Sequence, residues 1–153
     1  MKETLENLVG LTLTDPTVPT PSCVIDSTKL RHNIERAKAK AAALHVGWRP
    51  HLKTHKSIDI ARLQMSSPEG PATVSTLAEA RYFAQNGVKD IIYAVGIAPQ
   101  KLSAVAAIRR ETGCDLKIIL DSVEAAKLVS EFCRREGVLI PVLLEIDTDG
   151  HRS

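Results

Sequence analysis

The amino-acid sequence predicts an α/β fold of βα units around a parallel sheet, on three observations: recurring apolar runs, helix-start signals directly after some of them, and glycines where the intervening helices should stop. The runs lie near Pro50–Thr54, Ala72–Ser75, Ile91–Val95, Leu116–Leu120 and Ile140–Ile146, and each of the first four precedes a helical stretch. Thr76-Leu77-Ala78-Glu79 and Asp121-Ser122-Val123-Glu124 both place an acid three residues after a capping side chain. Gly87, Gly113 and Gly137 fall at the expected helix ends. Strands that alternate with helices imply a parallel sheet, because each crossover returns the chain to the same edge.

The chain upstream is less regular. Residues 1–21 carry Pro16, Pro19 and Pro21 and no sustained period, so they read as a lead-in with at most one short helix. Ser22 to Asp26 reads as a short strand. Asp26 or Ser27 then caps a helix with Leu30, Ile34, Ala37, Ala41 and Leu44 along one face, ending near Gly47. Residues 22–153 therefore form the domain proper. Two architectures fit five such units: an open doubly wound sheet, complete at about 150 residues, or part of a (β/α)8 barrel of about 250. The sequence ends at Ser153 directly after its last strand, without a helix to cover it, which favours the partial barrel.

Composition narrows the function classes. With 153 residues, 44% hydrophobic and 25% charged, the chain is in the range of one globular domain. Only 3% of residues are aromatic, so aliphatic side chains must fill the core, which suits helix-on-sheet layers. The formal net charge is +2, with Lys and Arg interspersed among Asp and Glu, which disfavours nucleic acid as a partner. The first ten residues include Glu3 and Glu6 and do not read as a signal peptide, and the apolar run Val138–Leu144 is broken by Pro141 and too short to span a bilayer. The cytoplasm is the expected compartment. Cys23, Cys114 and Cys133 are odd in number and widely separated, which argues against disulfides or a zinc cluster and for small buried hydrophobes.

The most unusual local feature is Trp48-Arg49-Pro50-His51-Leu52-Lys53-Thr54-His55-Lys56. On a strand, Arg49, His51, Lys53 and His55 share one face. Four basic groups on one side of a parallel strand are costly unless a ligand compensates them, although an edge strand or loop facing water would carry them equally well. In both candidate folds the active site lies at the carboxyl ends of the strands, where Lys53 falls. An amine among cations and partly desolvated has a lowered pKa and can condense with an aldehyde, so Lys53 is a candidate Schiff-base lysine. Lys56, of opposite parity and past the strand end, ranks below it. His51 and His55 would stand about 13 Å apart on a strand, too far to share a metal unless the backbone turns between them. His32 and His45, in or at the end of the first long helix, read as surface or core residues.

A second candidate is the polar segment Glu145 to Arg152, where an apolar strand gives way to Asp147, Asp149, Gly150, His151 and Arg152; a plain polar turn is the competing reading. There is no glycine-rich phosphate loop and no Gly-x-Ser-x-Gly elbow.

Several ordered motifs carry a resemblance: Thr20-Pro21-Ser22 leading to Asp26 and Leu30, Arg49-Pro50-His51-Leu52-Lys53-Thr54-His55-Lys56, Thr76-Leu77-Ala78-Glu79-Ala80, Asp90-Ile91-Ile92-Tyr93-Ala94, Asp121-Ser122, and Glu145-Ile146-Asp147 through Arg152. Over roughly residues 19 to 153 the chain resembles the D-threonine aldolase and D-serine dehydratase family of fold-type III pyridoxal-phosphate enzymes, related in fold to the alanine racemase amino-terminal domain. The Pro-His-x-Lys-Thr-His-Lys run is the specific part. The resemblance implies a (β/α)8 barrel, here its first five βα units, truncated before the last strands and a carboxyl-terminal β domain. It implies pyridoxal 5'-phosphate bound to Lys53, with His51 also at the cofactor and Arg152 at its phenolic oxygen, a role suited to a permanent cation. Many relatives have glycine where this chain has Asp149, with Gly150 one place later, so the local turn departs from the family's.

The activity implied is that of a D-amino-acid lyase. Cleavage of Cα–Cβ gives an aldolase and loss of the β-hydroxyl a dehydratase, with Lys53 or another base handling the proton. A divalent metal is implied for the full-length family, with ligands outside this chain, and a homodimer for the full-length protein. As a fragment the chain is expected to have little activity alone. A non-catalytic pyridoxal-phosphate carrier of the homeostasis type and an amino-acid racemase are the alternatives, together with a degenerate fragment of purely structural role.

Overall fold

The computed structural model describes residues 9–148 and 150. Helix α1 spans Ser27–Ala43 and α2 Ile58–Gln64. Strand β1 (Ala72–Val74) leads into α3 (Leu77–Gln85), and β2 (Asp90–Tyr93) into a short 3-10 turn, Pro99–Lys101, and α4 (Leu102–Thr112). Strand β3 (Asp115–Leu120), α5 (Val123–Glu136) and β4 (Val142–Leu144) complete the order. The chain divides into two compact units, Met1–Asn33 and Ile34–Ser153, and the whole sheet lies in the second.

Among the described residues the pairings of β1 to β4 are all parallel and the order is β1-β2-β3-β4, identical to the order in sequence. This decides between the two architectures. Parallel crossovers are right-handed, so a sheet that always steps toward the same edge puts every helix on one face; a doubly wound sheet must reverse direction to cover both. The arrangement is α/β and fits a partial (β/α)8 barrel.

Burial records the same asymmetry. Ala72 and Val74, Ile91 and Tyr93, and Leu116, Ile118 and Leu120 are buried, while the residues between them are only half-buried. The buried set faces the helices, where it meets Ala80 and Phe83 of α3, Leu102, Val105 and Ile108 of α4, and Val129 and Phe132 of α5. The alternate set, His51, Thr73, Ile92 and Lys117 in register, lies on the opposite, inner face.

Helix boundaries follow local chemistry. Thr76 caps α3 in a complete capping box with Glu79. At α5 the cap is Ser122, which accepts from the Ala125 amide, so Glu124 is a first-turn acid instead of the partner of an Asp121 box. Asp26 accepts from the amides of Thr28 and Lys29 at the start of α1. Gly113 and Gly137 end α4 and α5 at φ +64°, a left-handed conformation that favours glycine. Gly113→Ala is expected to cost about 1 kcal/mol, read as a lower urea midpoint with an unchanged slope; space is available for the methyl, so the loss comes from the backbone.

Two expectations about the fold need correction. Ser22–Asp26 is not a strand: no neighbour pairs with it, and Val24 and Ile25 are exposed. Residues 9–21 form turns, and the remainder of the lead-in lies outside the described residues. Cys114 is buried and Cys133 half-buried, but Cys23 is exposed, because it lies in that unpaired segment. No helix among the described residues is long and apolar enough to cross a membrane.

Candidate active site at the carboxyl ends of the strands

The basic segment begins as a strand and then turns. The Leu52 amide donates to the Thr73 carbonyl at 2.9 Å, the Thr73 amide to the Pro50 carbonyl at 2.9 Å, and His51 pairs with Thr73 in a parallel bridge. Residues 50–52 thus lie beside β1 as a fifth, minimal strand. From Leu52 the backbone curls: the Lys56 amide reaches back to the Leu52 carbonyl at 3.0 Å, and Lys56 takes φ +51°. The expected common face of Arg49, His51, Lys53 and His55 therefore breaks after His51. Hydrogen bonding decided this, since Ser57 caps α2 immediately afterwards and the chain must reverse to reach it.

Arg49 is drawn to the amino ends of the strands. Its guanidinium grips the Asp90 carboxylate through both terminal nitrogens, at 3.1 and 2.7 Å, and donates to the Ala72 carbonyl. Lys117 reaches the same carboxylate at 2.8 Å and Asp115 at 2.6 Å, and Arg109 holds Asp115 at 2.9 Å. This end of a barrel serves stability more than chemistry. Burial tends to raise the Asp90 pKa, but the hydrogen bonds and charges of Arg49 and Lys117 outweigh it and hold the carboxyl below the usual aspartate range. A depressed folded-state pKa means that the associated stability is present above the unfolded value and lost as pH falls through the folded one. Asp90→Asn should therefore cost about 1 kcal/mol at neutral pH, allowing for solvent screening, and flatten the acid limb of stability against pH in urea titrations.

Lys53 sits in the turn at the opposite, carboxyl end. It is exposed, not desolvated as expected from a strand, and it forms no ion pair with the described residues. Its surroundings are ordered by His51 and Glu79. The Lys53 amide donates to His51 Nδ1 at 3.3 Å, so in the neutral ring Nε2 carries the hydrogen and donates to Ser75 Oγ at 3.2 Å. Burial pulls the His51 pKa below that of an ordinary histidine, the charge of Lys53 adds to the effect, and Glu79 opposes it. The imidazole beside Lys53 is thus kept neutral.

Glu79 is 7% exposed. Burial would raise its pKa, but the Ser75 amide, Lys56 and the Thr76 amide outweigh that and keep it ionised. Its second oxygen stands 3.4 Å from Lys56 Nζ. Sequence reasoning placed Glu79 in a helix cap but gave Ser75 no role; the signal was its position just past a strand, at the parity of the inner face.

His55 turns away from His51. Its Nδ1 accepts from the Ser57 amide and its Nε2 donates to Gln64 Oε1 at 3.0 Å. The backbone does turn between the two histidines, yet their rings are committed to different partners. Among the described residues no three His, Cys, Asp or Glu side chains are grouped to hold a metal. His32 and His45 are exposed. In the last segment the Glu145 amide donates to the Leu120 carbonyl and the Gly150 amide to Asp147 Oδ1 at 3.0 Å. Asp149, His151 and Arg152 lie outside the described residues. An apolar groove of about 540 Å³ runs along Val129, Cys133, Leu139 and Val142, but it includes neither Lys53 nor His51.

Comparison with known proteins identifies the family. The family model described as alanine racemase, N-terminal domain, matches residues 25–153. D-threo-3-hydroxyaspartate dehydratase of Delftia sp. (strain HT23) is 46% identical over 90% of this chain and 36% of its own length. Its solved structure superposes with a TM-score of 0.83. D-serine dehydratase of Dictyostelium discoideum is 32% identical over 88% of the chain and 36% of that protein. D-threonine aldolase of Arthrobacter sp is 30% identical over 85% of the chain and 34% of that protein. The chain spans about a third of the length of these relatives.

Proposed function

The chain belongs to the alanine racemase N-terminal domain family, and from that premise we propose that it carries the cofactor-anchoring part of a pyridoxal-phosphate-dependent lyase acting on D-3-hydroxy amino acids. The observation that carries the reading is Lys53 itself: an exposed primary amine at the carboxyl end of a barrel strand, without an ion-pair partner among the described residues, on a backbone pinned by hydrogen bonds. The donor set suits an aldehyde cofactor. An amine with no carboxylate partner among the described residues is available to condense with a carbonyl, whereas Lys56 and Lys117 are tied to carboxylates.

In this reading Lys53 holds the cofactor, His51 lies beside it and Arg152 faces its phenolic oxygen. The bound cofactor supplies an electron sink for charge developing at the substrate α-carbon. Lys53 Nζ would be the base that takes or returns the proton at that carbon. His51 suits a neighbouring role without adding charge, because Nε2–H is committed to Ser75 Oγ and Nδ1 already accepts from the Lys53 amide. Residues 22–153 form the amino-terminal part of the barrel domain and residues 1–21 precede it.

A dehydratase is favoured over an aldolase because the 46%-identical relative is named a dehydratase and the 30%-identical one an aldolase. In a dehydratase the β-hydroxyl leaves as water and the product hydrolyses to a keto acid and ammonia; in an aldolase Cα–Cβ breaks to give glycine and an aldehyde. The test has two parts. The chain is incubated with pyridoxal phosphate, reduced with borohydride and peptide-mapped, with a pyridoxyl group expected on Lys53. The full polypeptide containing it is then given D-threo-3-hydroxyaspartate, D-serine, D-threonine and D-alanine, scoring keto acid, glycine and enantiomer. Attachment elsewhere than Lys53 would overturn the assignment; enantiomer alone would make the protein a racemase.

A further inference from the structure

The interactions around Lys53 close on themselves. Starting at its amide, the path runs to His51 Nδ1, from His51 Nε2 to Ser75 Oγ, and from the Ser75 amide to Glu79 at 2.9 Å. It continues from Glu79 to Lys56 Nζ and from the Lys56 amide to the Leu52 carbonyl, one covalent step before Lys53. Three elements contribute: the basic turn, the end of β1, and the first turn of α3. Every member other than Lys53 is bonded on both sides, and the charged ones, Glu79 and Lys56, balance each other.

We propose that this ring is a positioning device for Lys53, with Ser75 and Glu79 as positioning residues that act through His51 and Lys56. The inference rests on the reading of Lys53 as the cofactor lysine and assigns the residues that aim it. A lysine side chain has four freely rotating bonds, so its reach is defined only as well as its backbone is fixed. Here the backbone lies in a turn with a left-handed residue at its end, which would not hold its shape by local preference alone. The ring supplies the constraint. Its construction also explains why a carboxylate is buried at the helix start: a capping glutamate needs only the amides, but this one also binds Lys56, tying α3 to the turn.

Ser75→Ala removes the hydroxyl while leaving the Ser75 amide on Glu79, so the cap of α3 survives. Three readings are compared in wild type, Ser75→Ala and Ser75→Thr: His51 ring 15N shifts, hydrogen exchange of the Lys53 amide, and the rate of borohydride-fixed pyridoxyl attachment at Lys53. Wild type should show His51 as a single Nε2–H tautomer. Ser75→Ala should mix the tautomers, speed Lys53 amide exchange about fivefold to tenfold and slow attachment by a similar factor, while exchange at Leu116 and Ile118 stays unchanged. Ser75→Thr, which restores a hydroxyl, should recover all three. Lys56→Met, at a residue 63% exposed, should weaken the far side of the ring and give the same direction without threatening the fold. Exchange and attachment within about twofold of wild type in both Ser75→Ala and Lys56→Met would overturn the proposal. If wild type takes up no pyridoxyl group at Lys53 but the exchange and 15N effects occur, the ring stands and the cofactor reading falls.

Discussion

Lys53→Ala is expected to abolish covalent attachment of pyridoxal phosphate, a loss of at least about a hundredfold in pyridoxyl groups fixed by borohydride, because no other described lysine combines its position and freedom. Lys56 is paired with Glu79 and Lys117 with Asp90 and Asp115. Lys38 donates to the carbonyls of Leu63 and Met65, Lys89 to that of Thr112, and Lys101 to the Tyr93 hydroxyl. The same substitution should leave stability within about 0.5 kcal/mol, since Lys53 is exposed and its amine bonds nothing among the described residues. The contrast is the test: labelling is lost and the urea midpoint is kept. Persistent labelling in Lys53→Ala would place the anchor elsewhere.

Phe83→Ala should have the largest effect on stability. The ring is fully buried on the sheet-facing side of α3 and meets Tyr82 edge-on at 5.0 Å. Removing it takes away the transfer free energy of an aromatic group and leaves a cavity, together about 3–5 kcal/mol. In a chain with 3% aromatic residues few neighbours could fill the space. Such a loss is a large part of the total of about 5–15 kcal/mol that holds a typical domain, so a marked fall in urea midpoint and calorimetric Tm is expected. A change below about 1 kcal/mol would mean that the layer between α3 and the sheet repacks freely. Because α3 also carries Glu79, loosening it should reach the Lys53 turn.

What could be read in advance was mostly local. The capping box at Thr76, the left-handed glycines 113 and 137 and the placement of β1 to β4 depend on residues a few positions apart, and they occur where the sequence suggests. The motif and the strand-end position single out Lys53, but not the exposed turn in which it lies. The fate of Arg49 was not readable, because Asp90 is 41 residues away and only the sheet brings the two together. The turn after Leu52 was hidden for another reason. Alternating basic and uncharged residues mimic strand parity, while the turn depends on Lys56 taking a positive φ and on Ser57 beginning a helix. Ser22–Asp26 has strand-like composition without a strand's partner. Ser75 acquires meaning only once His51 is seen beside it.

The one-directional strand order has an implication for how the protein could change over generations. Side chains on one parity of each strand answer to the helices, and those on the other to the inner face. Exchanges at Thr73, Ile92 and Ile119 are therefore expected to reshape the inner face while sparing the layer built on Val74, Ile91 and Ile118. Changes to the inner face and changes to the helix-packed core fall at alternate positions of the same strands, so selection can act on one while leaving the other almost untouched.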